Sequence, residues 1–240
     1  EKTVVGSVAG ALRADPAYPE DYERLRDIFR SPSLQLITFT ITEKGYALTD
    51  LHGAFTPLAQ ADFAAGPHKG ALAMSKVASL LLDRFLAGGV PMAVVSTDNC
   101  SRNGEKLRAG VVTMAEKWLE NGLVPEAFVR WVENEETVSF PWTMIDKITP
   151  RPAEVVEKAL AEAGIEDLGI TVTAKGGYTA AFVNAEKPQY LVIEDRFPNG
   201  RPPLEKAGVY MTDRDTVNRV EKMKVMTCLN PLHTALAVYG

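Results

Sequence analysis

The chain lacks the turn that usually opens a dinucleotide-binding sheet. No G-x-G-x-x-G occurs in its 240 residues, although a doubly wound sheet ordinarily cradles a pyrophosphate there. Cysteine is scarce. Cys100 and Cys228 stand far apart with no CxxC spacing, which argues against a disulfide framework and makes a reducing cytoplasm the expected compartment. The three histidines, His52, His68 and His233, have no HxxxH-type spacing, so no metal site is expected. Basic charge is not in excess: 26 Lys and Arg face 31 Asp and Glu, a formal net charge of −5. That leaves no electrostatic footprint for a nucleic acid. The apolar runs, such as residues 77–82, are far too short to span a bilayer. The first residues, Glu1-Lys2-Thr3-Val4-Val5, do not have the charged-then-apolar layout of a secretory signal. Neither a nucleic acid nor a membrane is an expected partner, and composition does not address oligomeric state.

What is present is an ordinary globular composition, 46% hydrophobic and 24% charged, arranged in alternating patterns. Residues 4–8, Val-Val-Gly-Ser-Val, read as a short buried strand. Residues 19–29 read as a helix with Tyr22, Leu25, Ile28 and Phe29 on one face. Residues 34–41 alternate as a strand does. Residues 75–87 form an amphipathic helix closed by Gly88-Gly89. Residues 92–96, Met-Ala-Val-Val-Ser, are a continuous apolar strand of the kind buried on both faces. Helices follow at 104–121 and 125–133. This alternation predicts an α/β fold, a parallel sheet with helices on its faces. Thr149-Pro150-Arg151-Pro152 stiffens a junction and sets an expected boundary near residue 150. Beyond it come a helix at 152–163, a strand-like pair at 170–174 and 189–193, and helix from about Asp215. An apolar helix starting near Val225 still runs at Gly240, so the chain reads as a fragment of something longer.

Four segments could carry chemistry. Ser96-Thr97-Asp98-Asn99-Cys100-Ser101-Arg102-Asn103-Gly104 follows a buried strand and precedes a helix. In an open α/β sheet the carboxyl ends of strands face the ligand crevice, so this polar run can reach a cofactor or substrate. Helix capping by Asn103 accounts for part of it. Residues 140–150 place Asp146 at a strand end, where a lone Asp commonly forms a turn. Residues 192–208 contain the turn Pro198-Asn199-Gly200 and suit a loop pinned by salt bridges as well as a substrate-side segment. Residues 222–237 set lysines among apolar neighbours, where desolvation lowers a lysine pKa and suits it to accept and return a proton. Asn230 and His233, three apart, share a helix face there. An amide can hold an oxygen that is gaining negative charge, and a histidine can orient a hydroxyl. A capped core helix broken at Pro231 explains the same pair.

Taken in order, several of these segments resemble the long-chain polyol and hexuronate dehydrogenases, the mannitol dehydrogenase family. The matching residues are Thr40 to Tyr46, Val95 to Asn99 with Asn103-Gly104, and Phe140 to Asp146 with Ile148-Thr149-Pro150. Val192 to Asp195 with Gly200-Arg201-Pro202-Pro203, and Leu229-Asn230 with His233, complete the set. The resemblance implies a Rossmann-type cofactor domain at 1–150 and the start of a mostly helical substrate domain at 151–240. It implies NAD, with NADP as the alternative, and metal-free hydride transfer to or from a secondary alcohol. It implies an oxyanion pair, Asn99 and Asn230, a substrate-positioning His233, and a lysine acid/base. Ser96, Asp98 and Asn99, with Ile145 and Asp146, are the expected cofactor side.

The family's lysine stands five residues before the asparagine, a position held here by Val225. Lys224 is assigned instead, on the expectation that a one-residue helical bulge brings it into line, and Lys222 is the alternative. The wording of residues 227–234 points to the fructuronate reductases (D-mannonate oxidoreductases). A sugar acid or polyol is the expected small-molecule partner. Mannitol, arabinitol or tagaturonate dehydrogenases, an inactive fragment and a non-catalytic sugar-binding relative are the rival readings.

Overall fold

The computed structural model describes residues 4–239 apart from Ile148, Ala174, Lys175 and Pro188. The side chains of Val225, Leu229 and Asn230 also lie outside the described residues. The chain opens with helix α1 (Pro19–Arg30), strand β1 (Leu36–Phe39), helices α2 (Pro57–Ala65) and α3 (Ala73–Leu86), strand β2 (Met92–Ser96), and helices α4 (Asn103–Glu120) and α5 (Glu126–Glu133). Strands β3 (Val138–Ser139) and β4 (Thr143–Asp146), helix α6 (Glu154–Ala161), and strands β5 (Thr171–Val172), β6 (Tyr178–Thr179), β7 (Tyr190–Glu194) and β8 (Tyr210–Thr212) follow. Helix α7 (Arg214–Glu221) then runs through a π-helical stretch, Lys222–Leu229, into α8 (Asn230–Tyr239). No helix among the described residues is long and apolar enough to cross a membrane.

The chain divides into two compact units, Glu1–Met144 with Val192–Gly240, and Ile145–Leu191. The junction expected near residue 150 lies close to the start of the second unit, and the chain rejoins the first at Val192.

The first unit is built on a parallel sheet in the order β1-β2-β3. β2 is central and buried at every position, which is why its sequence is apolar without alternation. Trp118, Phe128, Phe140, Met74, Leu81, Leu107 and Met114 share one core with its Met92, all with almost no exposure. α1 starts on Pro19, with Glu20 and Asp21 in its first turn. That acidic first turn suits the partial positive charge of a helix start, and Tyr22 and Phe29 form its buried face.

α4 approaches the sheet so closely that a Cβ on Gly104 would lie 2.5 Å from the Phe140 carbonyl oxygen. Only glycine fits there. One side chain ties the layers together. Arg84, 1% exposed, donates to five carbonyls: Phe29 O at 2.8 Å, Ser31 O, Leu34 O and Pro91 O at 2.9 Å, and Val90 O at 2.5 Å.

Two sequence expectations need correction, and one helix is additional to them. Residues 4–8 form no strand: Val4, Val5 and Val8 are exposed. A run this short, interrupted by Gly6, buries too little to hold a strand without a paired neighbour. The strand-like pair at 170–174 and 189–193 is not a pair. β5 bonds antiparallel to β6, while β7 sits between β4 and β8. The additional helix is α2, whose Ala-rich sequence shows no helical periodicity; Thr56 caps it, accepting from the Ala59 amide at 3.2 Å.

In the second unit, α6 has no buried residue, and the Arg151 guanidinium lies 4.5 Å from the centre of the Tyr178 ring.

Candidate active site

Pairing of β1 with β2 sets Phe39 opposite Ser96. The two chains therefore leave the sheet side by side at its carboxyl edge, and the residues after them knit together. The Thr97 amide and hydroxyl both donate to Phe39 O at 2.7 Å. The Asp98 carboxylate accepts from the Ile41 and Thr42 amides at 2.9 Å each, and from the Tyr46 hydroxyl. The same hydroxyl lies 2.8 Å from Ser96 Oγ. Ser96, Asp98 and Tyr46 are all buried. Burial and the bond to Asp98 push the Tyr46 hydroxyl pKa upward.

Asn103 secures the other side of this turn. It is fully buried and stands at the first helical position of α4, after Arg102, which takes a left-handed conformation with φ 49°. Arg102 holds the cap position, and the Asn103 side chain accepts from one first-turn amide, that of Gly104, at 2.7 Å. Nδ2 donates to Asp98 O at 3.0 Å and Thr143 Oγ1 at 2.8 Å, and Oδ1 accepts from the Thr143 amide at 3.0 Å. The Thr143 hydroxyl closes the ring on Ser96 O at 2.6 Å. The start of β4 is thereby locked to the end of β2.

Glu221, the last residue of α7, joins the turn to the helix beyond. Its buried carboxylate accepts from Ser101 Oγ at 2.5 Å and from the Arg102 amide at 3.0 Å. The next residue begins the π-helical stretch containing Lys222 and Lys224. Where a one-residue bulge was expected, the helix widens over eight residues.

Within this frame Asn99 stands apart. Its side chain is exposed and makes no hydrogen bond among the described residues. Lys222, Lys224 and His233 are also exposed. The side chains of Met223 and Met226 beside them are exposed as well. The Asn230 side chain lies outside the described residues. Ser96, Asp98 and Asn99 thus share one turn, and Glu221 ties that turn to the helix of Lys224 and His233. Ile145 and Asp146 belong to the second unit, half-buried at the end of β4.

Sequence reasoning assigned no role to Tyr46, Thr143 or Glu221. Tyr46 stood inside a quoted motif, but the contacts of Glu221 reach across 119 and 120 residues, beyond any local pattern.

A family model described as the mannitol dehydrogenase Rossmann domain matches residues 2–206. The chain belongs to the mannitol dehydrogenase family. It is 52% identical over its full length to a D-mannonate oxidoreductase of Thermotoga maritima, covering 44% of that protein. It is 35% identical to a polyol:NADP oxidoreductase of Gluconobacter oxydans, over 97% of this chain and 44% of that one. A solved structure of Pseudomonas fluorescens mannitol 2-dehydrogenase, a ternary complex with NAD and D-mannitol, matches with a TM-score of 0.70 at 30% identity. That match covers 92% of this chain and 40% of the other. The chain spans less than half the length of these relatives. Its parallel sheet and flanking helices are the Rossmann-type architecture that the sequence predicts.

Proposed function

We propose that this chain carries the nicotinamide-side half of an NAD(P)-dependent oxidoreductase acting on a sugar acid or polyol, with D-fructuronate and D-mannonate as the favoured pair. The observation that carries the reading is the exposed amide of Asn99, which has no partner among the described residues and is held at the carboxyl edge of a parallel sheet by a turn whose neighbouring side chains bond inward. Ligands of open α/β sheets bind at that edge. The 52% identity to a D-mannonate oxidoreductase favours the hexuronate pair.

A dinucleotide fits this donor set. Asn99 would meet its nicotinamide end, with Ser96 and Asp98 shaping the turn behind it, and Ile145 and Asp146 are assigned to the cofactor on the family resemblance alone. When bound, the nicotinamide supplies or accepts the hydride. In the reducing direction Lys224 gives a proton to the ketone oxygen, and Asn99 and Asn230 donate hydrogen bonds to that oxygen as it becomes negative. His233 orients the substrate hydroxyls. In the oxidising direction Lys224 takes the proton back.

The π-helical stretch supports Lys224 over Lys222. Bonds from i to i+5 widen the turn to roughly 4.4 residues, so six residues sweep about 490°, close to the roughly 500° of five residues in an α-helix. The extra residue between Lys224 and Asn230 is thereby absorbed. The expected compartment is the cytoplasm, in keeping with two free cysteines.

The test is Lys224→Ala in the full-length protein, read by NADH absorbance with fructuronate, tagaturonate and fructose, and repeated with NADPH. Turnover should vanish while NADH still binds, and fructuronate should be the substrate most rapidly reduced by the unaltered protein. A near-normal rate in Lys224→Ala would sink the lysine assignment.

A further inference from the structure

We propose that Asp98 is a positioning residue rather than a cofactor contact: with Tyr46 it fixes the turn that presents Asn99. The inference rests on the reading of Asn99 as the amide that holds the reacting oxygen.

The carboxylate is already occupied. It has about four lone-pair sites. One oxygen accepts from Thr42 N, and the other from Ile41 N and the Tyr46 hydroxyl. Asp98 is 7% exposed and Tyr46 5% exposed, so neither offers much surface to a ligand. No ion pair to Asp98 forms among the described residues. Its charge is balanced by dipoles alone, and hydrogen bonds to an ionised acceptor are the strong kind.

A second observation shows what those bonds support. Thr42 has a positive φ of 65°, a backbone region that a β-branched residue rarely adopts. Its amide points at Asp98, so the carboxylate helps hold a conformation the residue would not take unaided. On the other side of the turn, Asn103 grips the Asp98 carbonyl at 3.0 Å. The backbone around residue 98 is therefore clamped from both sides. Asn99, the next residue, has a free side chain on a fixed backbone. That is the arrangement a preorganised donor requires, because an amide aimed in advance loses nothing to reorientation when charge develops on its acceptor.

The test uses the full-length protein and three variants: Asp98→Asn, Tyr46→Phe and Asn99→Ala. Asp98→Asn sets an amide NH2 against one or more of the three donors. Tyr46→Phe removes one donor, keeps the ring, and changes a residue too buried to meet a cofactor. Three readouts are compared: hydrogen exchange of peptides 40–46 and 97–102 without cofactor, NADH dissociation by fluorescence titration, and kcat with the ketone.

The inference expects faster exchange in both peptides, an unchanged NADH dissociation constant, and a kcat lowered roughly ten- to a hundredfold in Asp98→Asn, the range set by an ångström-scale misplacement. Tyr46→Phe should shift the same readouts in the same direction by less. Weaker NADH binding in Asp98→Asn with Tyr46→Phe silent overturns it in favour of direct cofactor contact. Unaltered kcat in both variants overturns it too. If Asp98→Asn does not fold, Tyr46→Phe decides alone: lowered kcat with intact NADH binding upholds the inference, and unaltered kcat overturns it. Asn99→Ala separates the two levels. Full turnover there removes the reading of Asn99 and this inference with it. An inactive Asn99→Ala beside normal Asp98→Asn and Tyr46→Phe removes the inference alone.

Discussion

Arg84 offers the sharpest test of how the first unit is held together. A guanidinium has five N–H donors, and here each meets one backbone carbonyl: Phe29, Ser31 and Leu34 on the connection from α1 into β1, Val90 and Pro91 on the connection into β2. No carboxylate pairs with it among the described residues, and burial pushes its pKa down. The fold keeps the charge because every donor is satisfied.

Arg84→Met fills most of the volume but takes the guanidinium from five carbonyls, of which Ser31 O keeps the Leu34 amide and Leu34 O keeps Asn199 Nδ2. An unsatisfied buried polar group costs about 1–3 kcal/mol. Some of these carbonyls will recover water at the loop surface, so the five penalties do not add. Losing two or three hydrogen bonds from a charged donor, at about 1.5 kcal/mol each, sets the expected loss at about 3–5 kcal/mol. For a chain of this size each kcal/mol shifts the melting midpoint by roughly 2–4 °C, so a fall of about 10 °C follows. Arg84→Lys should fall between, because an ammonium has three donors for five acceptors. Urea and thermal unfolding of both variants give the measurement. A loss below about 1 kcal/mol in Arg84→Met, within the range of a single ordinary hydrogen bond, would refute the network account.

Two further outcomes follow from the same packing. Gly104→Ala drives a methyl to within 2.5 Å of Phe140 O and 2.7 Å of the Trp142 ring. Overpacking of this kind costs about 1–3 kcal/mol, and urea unfolding should show it, whereas an unchanged midpoint would mean that α4 can withdraw freely from β4. Burial raises the Cys100 thiol pKa to about 11. A group that holds its proton more tightly when folded adds stability below its ordinary value and loses it as pH climbs toward the folded value. Stability should therefore decline above the usual thiol range. Alkylation of Cys100, followed by mass spectrometry, should rise about tenfold per pH unit through pH 8–10, as expected below a thiolate pKa. A plateau reached by pH 9 would contradict the shift.

Much of the fold was legible in the sequence. α1, β1, α3, β2, α4 and α5 lie within a few residues of where periodicity puts them, because the spacing of apolar residues reports which face of an element is buried. The same signal misled at residues 4–8, whose valines resemble those of β2 but have no sheet to enter. It missed α2, whose small residues carry no contrast between faces. The site was legible in part. The polar run from Ser96 to Asn103 stood out against the apolar strand before it, and the helix did widen around Lys224. The inward roles of Asp98, Asn103 and Glu221 were not legible, because their partners are contributed by distant segments.

The sequence by itself determined the α/β alternation, the central buried strand and the family, since each is written in local pattern or in the order of motifs. Tertiary structure decided what each polar residue faces. Asp98 and Asn99 are adjacent and similar in size, yet the first is sealed under Ile41, Thr42 and Tyr46 while the second is free at the sheet edge. That difference depends on a segment more than fifty residues earlier returning beside β2. Hydrogen-bond partners brought together by chain return leave no periodicity to read, so only the folded chain distinguishes the buried Asp98 from the exposed Asn99.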